Sequence, residues 1–92
     1  MEEAGVASVG SSPTSPKKVT VKFSSPFTTV PVVVANTVQT DPKYPPGSIN
    51  DTFAVSITGV TKTDFMANIW RVDAPGGGWG QNLSLGYQAT TP

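Results

Sequence analysis

The sequence predicts an all-β fold, a small antiparallel β-sandwich. Apolar residues recur at every second position in several segments, which is the spacing of half-buried strands. Segments rich in proline and glycine separate these runs, and no stretch combines a 3.6-residue apolar period with helix caps. We therefore expect essentially no helix.

Length and composition indicate one domain that needs further support. The chain has 92 residues, and a chain of this size buries only about 60% of the surface that it exposes when unfolded. Cysteine and histidine are absent, which excludes disulfides, iron–sulfur clusters, thiol nucleophiles and the usual zinc sites. We expect no metal and no cofactor, and association with other copies is the remaining source of stability.

The charges and the start of the chain narrow the range of partners and activities. Six Lys and Arg balance six Asp and Glu, so no basic field would attract nucleic acid. No secretion signal and no run of eighteen apolar residues is present, so we expect no membrane span. A catalytic triad would lack its imidazole, and a small sandwich offers little cleft for paired carboxylates. We expect a protein that is not an enzyme.

Residues 1–17 have the composition of a flexible N-terminal arm. They consist mainly of Gly, Ala, Ser and Pro and end in Ser11-Ser12-Pro13-Thr14-Ser15-Pro16-Lys17. Such a segment buries too little surface to offset the entropy of ordering it. Two interpretations stay open, a disordered tail and an arm that orders only on a partner. Residues 18–92 are then the single β-sandwich domain.

Five strands are expected within residues 18–92. The clearest places Phe53, Val55 and Ile57 on one face, and the strand after it is expected to be its hairpin partner. The continuous β-branched run Val32–Val34 suits a strand covered on both faces. The predicted strands cover about residues 18–23, 32–39, 52–58, 65–72 and 82–90.

Two predicted loops carry aromatic residues that could contact a ligand. Tyr44 lies within Asp41-Pro42-Lys43-Tyr44-Pro45-Pro46-Gly47, and Trp79 lies within Pro75-Gly76-Gly77-Gly78-Trp79-Gly80. An exposed aromatic ring in a loop can stack on the apolar face of a sugar. The alternative is that each ring folds back over the sandwich or onto a neighbouring subunit, because apolar cover is scarce in so small a domain.

A series of landmarks spread over residues 19–89 is shared with one known family. They are, in chain order, Phe23, Ser25-Pro26-Phe27, Pro31-Val32-Val33, Thr37 to Asp41, Val60-Thr61-Lys62-Thr63-Asp64-Phe65, Ile69-Trp70 and Gly86-Tyr87-Gln88-Ala89. In this order they resemble the H-type lectin domain, the fold of snail agglutinins and of the C-terminal domain of discoidins. The resemblance implies a six-stranded antiparallel β-sandwich that forms a homotrimer.

The resemblance also implies where a sugar would bind. The family holds galactose or N-acetylgalactosamine at a protomer boundary, through an N-terminal Asp, an Arg entering its third strand and a Trp-His pair ending its fourth. Trp70 matches the tryptophan, whereas Arg71 stands at the histidine position and Thr52 at the arginine position. No Asp precedes the first strand of the predicted domain. A galactose site of the family's usual kind is therefore incomplete in this sequence.

Trp70 and Arg71 are neighbours on a predicted strand, so their side chains point to opposite faces. A subunit boundary could still bring both to one ligand. The alternative places Trp70 in the trimer interface together with Met66 and Asn68, and pairs Arg71 with Asp73 or with a carboxylate of a neighbouring subunit.

Two functional hypotheses follow. Short domains with Phe-x-x-Pro-Phe and Pro-x-Val-like landmarks also look like those attached to phage tail and capsid surface proteins. The first hypothesis is a homotrimeric protein of the phage virion surface, a capsid decoration or a head or tail-fibre accessory, fastened to major capsid or tail proteins by the arm. The second is an extracellular lectin that binds galactose-like, N-acetylgalactosamine-like or bacterial surface glycans through Tyr44, Trp70, Arg71 and Trp79.

Overall fold

The computed structural model describes residues 1–92 and shows six strands. The strands form two three-stranded antiparallel sheets, in the orders β1-β6-β3 and β2-β5-β4, with the core between them. The predicted all-β sandwich is thereby confirmed. Nothing in the structure is a helix with the length and hydropathy needed to span a membrane. The strands are β1 (Glu2–Thr14), β2 (Lys17–Lys22), β3 (Val32–Gln39), β4 (Phe53–Val60), β5 (Asp64–Arg71) and β6 (Gly77–Thr90).

The core lies between the two middle strands, β5 and β6. Phe65, Ala67 and Ile69 alternate along β5 and are completely buried. They meet Leu83 and Leu85 of β6, which are equally inaccessible. A middle strand has a neighbour on each side and a second sheet over its inner face, so its inward side chains are the best covered in the domain.

Residues 1–17 are not the flexible arm that their composition suggests. Residues 2–14 form β1, which pairs with β6 from Glu2 opposite Thr90 to Thr14 opposite Gly77. Val9 is 6% exposed and belongs to the core. β1 therefore supplies the sixth strand that the family resemblance implies, and the sandwich begins at β1 rather than at residue 18.

Close packing explains why β1 has the composition of a linker. A Cβ atom on Gly5 would lie 2.8 Å from the Tyr87 hydroxyl oxygen, so a larger residue would have to displace that ring. β1 is an edge strand, and β6 pairs with one side of its backbone along almost its whole length. The small residues reflect a tight fit against β6 and not an absence of structure.

The glycine-rich segment is also more ordered than the sequence suggests. The turn is confined to Ala74–Gly77, where the Gly77 N–H donates to the Ala74 carbonyl at 2.8 Å. Gly76 has a φ of +80°, the left-handed conformation that the third residue of a type II turn needs. β6 starts at Gly77, so the predicted start at Asn82 was wrong, and Trp79 lies in a strand.

Candidate functional site

A charged cluster surrounds Arg71 at the end of the sandwich where β4 begins, β5 ends and β6 begins. The guanidinium donates two hydrogen bonds to the carboxylate of Asp73. Nε lies 3.1 Å from Oδ1, and Nη2 lies 2.5 Å from Oδ2. Nη2 also lies 3.3 Å from an oxygen of Asp51, and Nη1 donates to the Gly78 carbonyl at 3.0 Å. Arg71 is thus paired with Asp73 of its own protomer, which is one of the two partners that the sequence suggested.

The charged groups of this cluster pair with one another and with neighbouring backbone groups. The hydrogen bond from Arg71 lowers the pKa of Asp73 to about 2, and the same contact raises the pKa of Arg71. Asp73 also accepts from the Thr52 N–H at 3.2 Å, and Asp51 accepts from the buried Gln81 amide at 3.0 Å. The cluster ties three strand ends together.

Trp70 projects from the outer face of the β2-β5-β4 sheet. It lies opposite Ala54 of β4 and is half-buried. Met66 and Asn68, which precede Trp70 along β5, lie on the same face, and Lys18 of β2 lies opposite Asn68. The structure therefore brings together the three residues predicted for a trimer interface, on a face that mixes apolar, amide and charged groups.

Trp79 is closed off from solvent. Its side chain is 5% exposed and meets Phe53 edge-on, with ring centroids 5.1 Å apart. The indole Nε1–H donates to the Gly10 carbonyl of β1 at 2.7 Å. Of the two interpretations drawn from the sequence, the structure supports packing over the sandwich, and Trp79 is not placed to stack on a sugar.

Tyr44 keeps a partly exposed ring, 36% of it, in the connection between β3 and β4. Asp41 anchors this connection, because its carboxylate accepts from the Asn82 N–H at 2.8 Å and from the Lys43 N–H at 3.0 Å. These two backbone hydrogen bonds lower the pKa of Asp41. The Tyr44 ring is thereby held beside Gly80 at the start of β6.

Four valines stand out on the outer face of the β1-β6-β3 sheet, and we call this surface the valine face. They lie on the two edge strands, on either side of Gly86 in the middle strand. Sequence reasoning did not identify this surface, although the run Val32–Val34 indicated a strand covered on both sides. The four, with their exposed fractions, are Val6 (71%), Val32 (60%), Val34 (62%) and Val38 (40%).

Comparison with protein families adds the decisive observation, because the model of the H-type lectin domain matches residues 18–89. The chain belongs to the H-type lectin domain family. The match runs from β2 almost to the end of β6, and β1 lies outside it. Neither the curated proteins nor the solved structures that were compared gave a match. Membership indicates a binding module, in a family that is generally non-enzymatic.

The positions that correspond to the family's sugar contacts are mostly occupied in this H-type lectin domain. The backbone N–H of Thr52 is used by Asp73, and the Arg71 guanidinium is shared between Asp73, Asp51 and the Gly78 carbonyl. Among the matching residues, Thr52 is exposed, and Trp70 and Arg71 are half-buried. One protomer therefore does not reproduce the polar sugar contacts that the resemblance implies.

Proposed function

We propose that this H-type lectin domain is a non-enzymatic, self-associating module, a homotrimer whose protomers meet through the valine face. The observation that carries the proposal is the exposure of the four valines of that face, 40% to 71% each. Clustered exposed apolar side chains mark contact sites on soluble proteins, and on this face Asn36 and Gln88 lie among the valines. The composition of β3 is that of a strand covered on both sides, and a second copy would supply the missing cover.

Rough energetics support association. Complete burial of a valine side chain contributes about 1.5–3 kcal/mol, so the exposed fractions of the valine face correspond to about 5 kcal/mol per protomer. Three protomers would contribute about 15 kcal/mol, which offsets the two association steps of a trimer only toward the lower end of the estimate of about 4–15 kcal/mol for each step. The three-fold arrangement itself comes from the family resemblance.

The interface predicted from the sequence, Met66, Asn68 and Trp70, lies on the opposite face of the sandwich. That face contains amide and lysine side chains, and Met66 is only 36% exposed. We prefer the valine face for contact between copies, because it exposes four valines and no lysine, although Asn36 and Gln88 lie among them. The Trp70 face is then free for a different partner.

The role that we propose for the trimer is structural, at the surface of a phage virion, as a capsid decoration or a head or tail-fibre accessory. Its support is the likeness of the Phe23 to Phe27 landmarks to phage surface domains, together with the pairing of Arg71 to carboxylates of its own protomer. Because residues 2–14 are part of the sandwich, attachment to major capsid or tail proteins would use a folded surface such as the Trp70 face, in place of an arm.

The second candidate function is an extracellular lectin for galactose-like, N-acetylgalactosamine-like or bacterial surface glycans. Family membership favours it, as do the accessible aromatic rings of Trp70 and Tyr44. Many weak sites in one assembly would give useful avidity, so the two roles are compatible.

Two measurements test the proposed function. Light scattering coupled to size-exclusion chromatography should give the mass of three chains at micromolar concentration, and the mass of one chain would contradict the self-association. A glycan array probed with the wild-type protein and with Trp70→Ala separates the two roles. If no glycan binds, the structural role remains. If a glycan binds the wild type but not a correctly folded Trp70→Ala variant, the protein is a lectin.

A further inference from the structure

β2 and β4 are the two edge strands of the β2-β5-β4 sheet, and only one of them carries charges. β2 contains Lys17, Lys18 and Lys22 within its six residues. Charged side chains on an edge strand, lysine above all, prevent it from pairing with another chain. β4 has eight residues with no charge and no proline, so its edge lacks this protection.

The edges of the other sheet are less available for pairing. β1 has register shifts between Ser8 and Ser12, and it ends in Pro13-Thr14. Bulges and prolines both interrupt the regular backbone that a partner strand needs. β3 is uncharged, but the Thr37 N–H is already bonded to the Asn36 side chain at 3.0 Å, and the outer side chains of β3 belong to the valine face. We therefore regard β4 as the most open edge.

Five residues of β4, from Phe53 to Ile57, present a regular free backbone. The Thr52 carbonyl accepts from the N–H just after β5 at 2.9 Å, so Thr52 and every second residue after it bond to β5. The backbone groups of Phe53, Val55 and Ile57 point the other way, away from the sheet. A register shift between Ile57 and Gly59 ends this regular stretch.

The core-facing side chains of the same stretch are incompletely covered. Phe53, Val55 and Ile57 pack against the core, yet all three are only half-buried. The core-facing side chains of the neighbouring strand β5 are completely buried. The difference arises because an edge strand has no neighbour on one side. A further strand beside β4 would use its free backbone groups and cover these three side chains.

The regular stretch is complementary to itself. When two copies lie antiparallel about a two-fold axis through Val55, Phe53 of each copy lies opposite Ile57 of the other, and Val55 lies opposite its own equivalent. The outward backbone groups of the two copies then face one another, as an antiparallel ladder requires. A shift of one residue would oppose outward and inward groups, and a shift of two would lose a pair, so one register is favoured.

We propose that the β4 edges of two copies pair in this register and join their three-stranded β2-β5-β4 sheets into one continuous sheet. The contact goes beyond the proposed trimer and does not depend on it, because it uses backbone groups of the sheet that lies opposite the valine face. Its two-fold symmetry would link one trimer to the next. A trimer would offer three such edges, and three-fold and two-fold contacts together build an extended array.

The size of the contact sets the conditions under which it forms. Stable interfaces use about 20–30 residues from each partner, so a contact of five residues from each copy is weak. Copies that are held side by side meet at effective concentrations of about a millimolar, at which weak contacts become occupied. The pairing is therefore expected in concentrated samples and in assemblies, and not in dilute solution.

Disulfide trapping tests the pairing, because the chain has no cysteine of its own. In the proposed register Ala54 of one copy lies opposite Ser56 of the other, about 4.5–5.5 Å away, a distance that a disulfide can span. Two copies of the same residue lie diagonally, about 7–8 Å apart, which is too far. An oxidised mixture of Ala54→Cys and Ser56→Cys at about 1 mM should therefore give about tenfold more linked pairs than either variant alone.

Thr20→Cys provides the matched control, because Thr20 is exposed on β2, the lysine-bearing edge of the same sheet. Its mixture with Ser56→Cys should give only the linkage of the single variants. Equal linkage in the two mixtures would overturn the pairing, as would an Ala54→Cys and Ser56→Cys mixture that links no more than either variant alone. Both results are read from non-reducing gels.

A lysine substitution tests the same edge without cysteine. Ser56→Lys gives β4 the kind of charge that β2 already has, so it should lower the average mass of the wild type in sedimentation at about 1 mM, whereas Thr20→Lys should leave that mass unchanged. Equal masses for the wild type and Ser56→Lys would contradict the pairing.

The trapping experiment is repeated in the Val6→Thr/Val34→Thr background to separate the two contacts between copies. Linkage should persist there, because the valine face lies on the other sheet. Loss of linkage in this background would assign the contact to the trimer and overturn a separate pairing of edges. A wild type with the mass of one chain at micromolar concentration, together with linked mixtures, would refute the trimer and support the edge pairing.

Discussion

Truncation of Val9 to alanine tests whether β1 belongs to the fold. Val9 is 6% exposed and packs in the core. The substitution removes two methyl groups, each worth about 0.8 kcal/mol, and leaves a small cavity, so the free energy of unfolding should fall by about 2 kcal/mol. In a domain of this size such a loss lowers the melting temperature by about 8–16 °C.

The matched control is Val72→Ala, which removes the same two methyl groups from a side chain that is 48% exposed and follows β5. Its effect should stay within about 0.5 kcal/mol. Circular dichroism melts of the three proteins, all at one concentration because association shifts apparent stability, provide the comparison. If Val9→Ala and the wild type have the same melting temperature, residues 2–14 are a tail and the placement of β1 is refuted.

Three further substitutions probe the contacts around the sheets. Trp79→Phe removes the bond to the Gly10 carbonyl and part of a buried ring, so urea unfolding should show a loss of more than about 1 kcal/mol, and an unchanged midpoint would count against the burial and bonding of Trp79. The hydrogen bond from Tyr87 lowers the pKa of Glu3 below 4.5, so this carboxylate adds stability at neutral pH that is lost as the pH falls through the lowered folded-state value. The stability difference between the wild type and Glu3→Gln should therefore shrink in acid, in melts taken across a pH series, and a pH-independent difference would contradict this. Asp73→Asn should show the same behaviour at lower pH, with its difference disappearing between 3.8 and about 2; a loss already complete at pH 5 would disagree with the ion pair.

The part of the fold that could be predicted is the part built from large side chains. Phe53, Val55 and Ile57 alternate with small polar residues, and the strand predicted at 52–58 is β4 at Phe53–Val60. The next predicted strand, 65–72, is β5 at Asp64–Arg71. These faces differ sharply in environment, so a local window of sequence is enough to reveal the alternation.

β1 escaped prediction because its stability comes from its partner strand. Its register pairs Glu2 with Thr90, two residues at opposite ends of the chain, and no local pattern reports such a pairing. Gly5 allows the close approach of the Tyr87 ring, yet the sequence alone suggests a linker residue. The same reason applies to Trp79, whose glycine neighbours form a turn and the start of a strand.

The candidate site was predictable only where it depended on neighbours in sequence. Arg71 and Asp73 are two residues apart, so their pairing could be foreseen. The contribution of Asp51 to the same cluster depends on how β4 and β5 are paired. The valine face required Val6 to lie on the same sheet as β3, which only the placement of β1 reveals.

Sedimentation equilibrium of the wild type and of the double variant Val6→Thr/Val34→Thr is the most direct test of self-association through the valine face. Threonine keeps the size and β-propensity of valine but places a hydroxyl in the contact, at about 1–3 kcal/mol for each buried group. We predict a wild type of three chains, a double variant of one chain with unchanged strand content, and a Val72→Thr control that behaves as the wild type. A wild type that sediments as a single chain at all concentrations, or a double variant that remains fully assembled, would contradict the account.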